Sequence, residues 1–447
     1  MNKYLIVGII LVVLVALLAT NKKLVETLKN IYKIEELRKR ILFTLGLLLI
    51  YRLGSFVTLP GVNHAALEAF TSSFENDNSL LGLLNVFSGG AFSQASIFAL
   101  GVMPYITASI IIQLLGIMVP YFRKMQREGE SGRRKMNQWT RFLTIGVLLL
   151  QAPAYLKTQV IPTGAVTQES MFIVTSTIIL IAGTMFIMWL GEKITDKGIG
   201  NGISLIIMIG IVARLPMAFL QEVTLKLGGA GSIIMLIVEL VFLALVFMFS
   251  IAIVQAVRKI PVQYAKRIVG NKQYGGVRQY IPLKLNAANV MPIIFAQALM
   301  FIPGLIWGGQ WLDIQGFWYN FTLAVLVIAF TYFYTAIIVN PQMMADDMKR
   351  NGGFIPGVKP GKSTVTYIDN IMTRITLPGS IFLAIITVLP AIAMTLGVNS
   401  SFAYFYGGTS LLIMVGVVLD TLKQIESYLL MRHYDGLMKT GRIQGRY

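Results

Sequence analysis

The chain has no cysteine and only two histidines, His64 and His433, in 447 residues, and 13% of its residues are charged. Without cysteine there is no disulfide framework and no thiolate for catalysis or metal binding, while the compartment stays open. Neither histidine falls in a long apolar run and no HExxH pattern occurs. A serine–histidine dyad within a membrane and a zinc-peptidase helix are thereby excluded. Asp420 is the one aspartate inside an apolar run, which excludes an intramembrane aspartyl pair. Acid is scarce as well: 20 Asp and Glu stand against 38 Lys and Arg, a net charge of +18. Such an excess can signal nucleic-acid binding, but the location of the charge decides that.

What is abundant is apolar sequence. Hydrophobic residues make up 55% of the chain, the mean hydropathy is +0.70, and many runs approach 20 residues, enough to cross a bilayer as helices. These runs are continuously apolar, whereas barrel strands would alternate with period two. The expectation is an all-α polytopic membrane protein with ten spans: 41–57, the run from Ile97 to Leu115, and 139–157, 171–191, 199–219, 232–257, 287–307, 321–341, 375–397 and 406–430. Basic residues concentrate at 22–40, 123–135, 258–284, 342–374 and 431–447, and the loops between are poor in them. That alternation puts the basic segments on the cytoplasmic side. Trp139, Trp189, Trp307, Trp311 and Trp318 fall at or beside span ends, where an indole is favoured.

The most irregular stretch is 81–115, LGLLNVFSGGAFSQASIFALGVMPYITASIIIQLL. A short apolar segment breaks at Ser88-Gly89-Gly90 before a long apolar run. Irregular backbone at membrane depth is tolerated only beside protein or a water-filled cavity. Val102, Ile106 and Ile110 share one face of the helix after the break, a spacing that ordinary helix packing also explains. GIGNGIS, 198–204, opens a span with three glycines; with no P-loop lysine behind it, close backbone packing explains it better than phosphate binding. Arg52, Glu239 and Asp420 are the ionisable residues noted inside spans, each singly. That argues against an ion-coupled small-molecule transporter, the rival reading for ten helices. Arg52 reads as snorkelling or structurally paired.

Residues 4–20 form an apolar run that reads as a short span, a signal peptide or an interfacial anchor, and 22–40 as an amphipathic basic segment with Leu24, Leu28, Ile31, Ile34 and Leu37 at helical spacing. The basic loops 258–284 and 342–374 are longer than topology requires and look like docking surfaces. Nothing points to an enzyme, a cofactor or a metal.

From about Glu35 onward the chain resembles the SecY family of protein-conducting channels, of bacterial type. The resemblance is carried by FSGGAFSQASIFALGVMPYITASIIIQLL (87–115), EGESGRRK (128–135), MWLGEKITDKGIGNGIS (188–204), YAKR (264–267), IPLKLN (281–286), FIPGVKPGKSTVTYIDNIMTRITLPG (354–379) and FYGGTSLLI (405–413). It implies two inverted five-helix halves around a pore, here 41–219 and 232–430, joined by an external hinge at 220–231 and followed by a cytoplasmic tail, 431–447. The extension 1–21 has no counterpart. The resemblance implies a plug at Leu81, Leu83, Leu84, Asn85, Val86, Phe87, Ser88, Gly89 and Gly90. It implies a pore ring of Val102, Ile106, Ile110, Ile207, Ile294 and Ile413, with Val102 where relatives usually carry isoleucine. Gln113, Asn201, Asn286 and Asn289 become candidates for a lateral gate. Lys266, Arg267, Lys272, Arg278, Lys349, Arg350, Lys359 and Lys362 become candidates for docking the SecA motor and the ribosome, including its RNA, with Lys359 in place of the usual arginine. Further implied partners are SecE-type and SecG-type subunits, SecDF, a YidC-type insertase, membrane lipid and the signal sequences of clients.

Overall fold

The computed structural model describes residues 34–63, 85, 88–163, 169–226, 233–264, 267–269, 272–274, 278–307 and 315–439. The apolar run 4–20, most of the amphipathic segment 22–40, most of the expected plug, Lys266 and the end of the tail lie outside the described residues.

Ten helices of 16 to 34 residues overlap the ten expected spans: α1 (Glu35–Gly54), α2 (Met103–Met118), α4 (Glu130–Tyr155), α5 (Glu169–Lys197), α6 (Gly202–Leu225), α7 (Ile233–Gln255), α8 (Met291–Trp307), α9 (Phe317–Ile338), α11 (Lys362–Thr395) and α13 (Gly408–Lys439). Among the described residues three short α-helices intervene: α3 (Pro120–Arg127), α10 (Pro341–Arg350) and α12 (Ser400–Ala403). Among the described residues, six helices are by themselves long and apolar enough to cross a membrane: α5, α6, α7, α9, α11 and α13. The others fall short for visible reasons. The first turns of α1 and α4 are charged, and α2 and α8 are only 16 and 17 residues long.

Local chemistry sets the ends. Pro120 and Pro341 start α3 and α10, where a missing amide costs nothing. Asn201, Asn340 and Asn399 cap α6, α10 and α12 through side-chain oxygens. One expectation is corrected here: the helix after the glycine break begins at Met103, not Ile97. Ala95 and Gly101 have φ of +43° and +53°, conformations that no α-helix can contain.

A second correction concerns 258–284, which is not a loop. β1 (Val257–Tyr264) and β4 (Arg278–Lys284) pair antiparallel from Val257↔Lys284 to Gln263↔Arg278, β2 (Arg267–Val269) and β3 (Lys272–Tyr274) pair beyond them, and β5 (Gly353–Phe354) joins the far edge of β1. The second basic segment, 342–374, is largely α10 and the start of α11, leaving only 351–361 outside both helices.

The chain divides into two compact units. The first comprises the described residues of Met1–Asp77, Leu81–Gly231 and Val417–Tyr447; the second comprises those of Ser232–Gly416. Helix α13 therefore starts in one unit and ends in the other. In the first unit Leu59, Phe92, Ala95, Ala99, Tyr155 and Leu180 belong to one buried cluster. In the second, Ile260, Val262, Leu283, Met348, Ile368 and Met372 seat the hairpin on α10 and α11.

Candidate functional site

The glycine break and the residues after it, 88–102, are almost wholly buried in the first unit, so their backbone needs partners from within the protein. Polar side chains supply them. Ser88 Oγ donates to the Asn85 carbonyl at 3.2 Å and accepts from the Phe92 amide at 3.0 Å, and Asn85 Oδ1 accepts from the Ser93 amide at 3.2 Å. Tyr155 of α4 donates its hydroxyl to the Phe92 carbonyl at 2.6 Å. The strand-like segment after α1 adds Leu59 N to Ala95 O and Ile97 N to Val57 O, both 2.9 Å.

Arg52 proves to be structurally paired. Its guanidinium donates to the Gly89 carbonyl at 2.8 Å and lies over the Phe56 ring at 4.7 Å. Gly89 has φ +65°, and a side-chain carbon there would come within 2.9 Å of Gly210 Cα on α6. The Arg214 guanidinium of α6 lies on the other side, against Gly90. Two arginines thus flank the Gly89-Gly90 hinge. Of the expected plug, Asn85, Ser88, Gly89 and Gly90 are described and buried; Leu81, Leu83, Leu84, Val86 and Phe87 lie outside the described residues.

Four ring candidates belong to the first unit. Val102 caps the start of α2, with Ile106 and Ile110 one and two turns later; Val102 and Ile110 are buried and Ile106 half-buried. Ile207 is half-buried on α6. Ile294 on α8 and Ile413 on α13 belong to the second unit, half-buried and buried respectively. All six side chains are aliphatic and offer no hydrogen-bonding group.

The lateral-gate candidates have separate settings. Gln113 donates to Ser109 Oγ at 3.5 Å within α2. Asn201 is occupied in capping α6, accepting from Ser204 N at 3.3 Å. Asn286 is buried, and among the described residues its carboxamide oxygen accepts no hydrogen bond. Asn289 is exposed with φ +52°. Nearby on α8, Gln297 accepts from the Thr409 hydroxyl of α13 at 3.4 Å, both buried.

Among the docking candidates, Lys349, Arg350, Lys359 and Lys362 are exposed around the turn between α10 and α11, and Thr364 fastens that turn by donating to the Lys359 carbonyl at 3.0 Å. Arg267, Lys272 and Arg278 take their places on β2, β3 and β4. The three-stranded sheet packs through Ile260, Val262 and Leu283 against Met348 of α10 and Ile368 and Met372 of α11.

Some features went unnoticed in the sequence. The hairpin signal was available: VRKIPVQY and RQYIPLK surround NKQYGG with β-branched and aromatic residues and turn-forming glycines. Arg141, inside an expected span, pairs in fork geometry with Glu192 of α5, at 3.1 and 2.6 Å. Arg214 too lies inside a span, so the ionisable residues are more numerous than the three noted. Its companion reading holds for GIGNGIS: a side chain at Gly202 would collide with the Gly191 carbonyl of α5, a close backbone approach.

The SecY family model matches residues 96–422. A protein translocase subunit SecY from Halalkalibacterium halodurans is 44% identical over 93% of this chain and 100% of its own. One from Streptomyces scabiei is 42% identical over 91% and 98%, and one from Chlamydia trachomatis is 40% identical over 94% and 99%. Among solved structures, a protein-conducting channel superposes with a TM-score of 0.59 at 18% identity, covering 87% of this chain and 92% of that one. The idle yeast Ssh1 complex bound to the yeast 80S ribosome gives 0.60 at 14% identity, over 86% and 89%. Helical membrane-spanning architecture, solved neighbours and near full-length relatives agree: the chain is a multi-pass membrane protein and belongs to the SecY family.

Proposed function

We propose that this chain is the central channel-forming subunit of a general secretory translocon in a bacterial cytoplasmic membrane. It passes unfolded polypeptides across the bilayer and releases apolar segments sideways into lipid. The observation that carries the reading is the agreement of near full-length relatives, each a protein translocase subunit SecY. Val102, Ile106, Ile110, Ile207, Ile294 and Ile413 form the ring. Such a ring offers a moving chain no fixed partner, and when narrow it excludes water and ions by dewetting. The residues from Leu81 to Gly90 form the plug, with Gly89-Gly90 as its tether. Gln113, Asn201, Asn286 and Asn289 lie along the lateral gate, the path of signal sequences into lipid.

The basic segments face the cytoplasm. The hairpin, with Lys266, Arg267, Lys272 and Arg278, and the turn bearing Lys349, Arg350, Lys359 and Lys362 take up SecA or the ribosome, with its RNA contacted through phosphates. A SecE-type subunit braces the halves, a SecG-type subunit completes the complex, and SecDF and a YidC-type insertase cooperate with it. Energy comes from the motor or the ribosome, so the chain itself is not an enzyme.

The test is transport of a presecretory protein into vesicles holding the purified complex, driven by SecA or by translating ribosomes. Protected, full-length product is expected; failure alongside saturable uptake of a small solute would overturn the reading in favour of a transporter. In the same assay Lys359→Glu should lower SecA-driven transport severalfold with the complex intact, and full activity would remove Lys359 from the docking surface.

A further inference from the structure

Apart from Asn201, the GIGNG turn between α5 and α6 has no part in the function above, yet three helices exchange hydrogen bonds there. The Ile199 amide donates to Thr44 Oγ1 of α1 at 3.1 Å, the Gly200 amide to Gln424 Oε1 of α13 at 2.8 Å, and the Gly202 amide to Thr195 Oγ1 of α5 at 2.9 Å. Asn201 takes the Ser204 amide. The amides that an anion would seek at a helix start are thus already held by neutral side-chain oxygens.

The contacts from α13 fall on one stripe. Gly200 has φ +80°, and a side-chain carbon there would come within 3.0 Å of the Thr421 hydroxyl. Gln424 follows three residues later, and four beyond it the Tyr428 ring lies under Arg40 of α1 at 5.2 Å. Spacing of i, i+3, i+7 puts all three on the same side of the helix. All of these residues belong to the first unit.

We propose that this stripe is a register lock: Gln424 fixes the position of α13 along the α5–α6 turn, and through the turn it fixes the depth of Ile207. Ile207 lies five residues beyond Gly202 in the same helix, about 7.5 Å at 1.5 Å per residue. A helix is stiff over that length, so a displaced turn moves Ile207 with it. Gln424 is accordingly a positioning residue that acts on the seal through α6. The inference rests on the reading of Ile207 as part of the ring.

The test measures resting conductance of the complete channel complex in planar bilayers for the wild type, Gln424→Met, Gln424→Glu and Ile207→Ser. Methionine keeps the length of glutamine and lacks the acceptor; glutamate retains it. Gln424→Met should conduct about fivefold more at rest, the effect of one lost hydrogen bond on a closed–open equilibrium. Gln424→Glu should stay near the wild type, and the melting temperature should not change. Wild-type conductance in Gln424→Met beside a leaking Ile207→Ser overturns the lock. A silent Ile207→Ser removes the ring reading, and the lock with it. Should Gln424→Met assemble poorly, Thr44→Val, which deprives the Ile199 amide of its acceptor, carries the same expected rise and the same refuting result.

Discussion

Two entries, neither a continuous helix, precede helices that bear proposed ring residues, and they differ in their share of polar and aromatic contacts. Residues 88–102, before Ile106, combine packing of Phe92 and Phe98 against Tyr155, Tyr51 and Phe186 with hydrogen bonds between backbone and serine, asparagine, tyrosine and arginine side chains. Residues 398–407, before Ile413, are held by aromatic packing. Phe402 lies against Phe405 and Tyr406 with centroids at 6.5 and 5.6 Å, Tyr406 stacks on Phe242 at 6.0 Å, and its hydroxyl reaches the Glu239 carbonyl at 3.0 Å. Water can replace the hydrogen-bonding partners of the first entry at a net cost of about 1 kcal/mol per bond. Nothing aqueous replaces buried rings. The proposed plug tether calls for the exchangeable partners of the first entry, and a fixed frame for the buried rings of the second.

The contrast breaks most readily at its rigid end. Phe402→Ala should cost about 3–5 kcal/mol of stability, read as a lowered unfolding temperature of the purified complex; an unchanged temperature would mean the aromatic entry is as loose as the polar one. Next in size is Arg52→Met, which keeps bulk and removes the charged donor to the Gly89 carbonyl. A loss of about 1.5–3 kcal/mol from the tethered state should raise resting ion leakage at least about tenfold while leaving the unfolding temperature nearly unchanged. Leakage equal to wild type would detach Arg52 from the tether. The smallest effect belongs to Ser88→Ala. It removes the two hydrogen bonds of Ser88 Oγ and should cost about 1–2 kcal/mol in all, giving a smaller leak than Arg52→Met in the same bilayers; a leak as large would show that the tether is not held bond by bond.

How much of this was legible beforehand follows from the range of each interaction. The spans announced themselves, because continuous apolar runs are a local signal. The early end of the helical reading at Met103 was also local: Gly101 can adopt positive φ and Pro104 favours a helix start, but the apolar character of Ile97 to Leu100 masked both. The hairpin was hidden by its own lysines and arginines, whose meaning for topology drew attention away from the alternation between them. The partner of Arg52 lies 37 residues away and could not be read from pattern. The proposed ring is the extreme case. Val102, Ile106 and Ile110 at helical spacing suit a packed interface equally well, and the resemblance to a known family chose between the two.

Helix α13 has one more practical meaning. Its 32 residues extend about 48 Å, against about 30 Å of hydrocarbon, so roughly 18 Å of unbroken rod reaches past the lipid. A label beyond Leu430 on that rod would turn with the helix instead of swinging on a linker. In a chain with no native cysteine, one introduced thiol there gives a built-in goniometer, able to report in real time how the last helix rotates while a polypeptide passes.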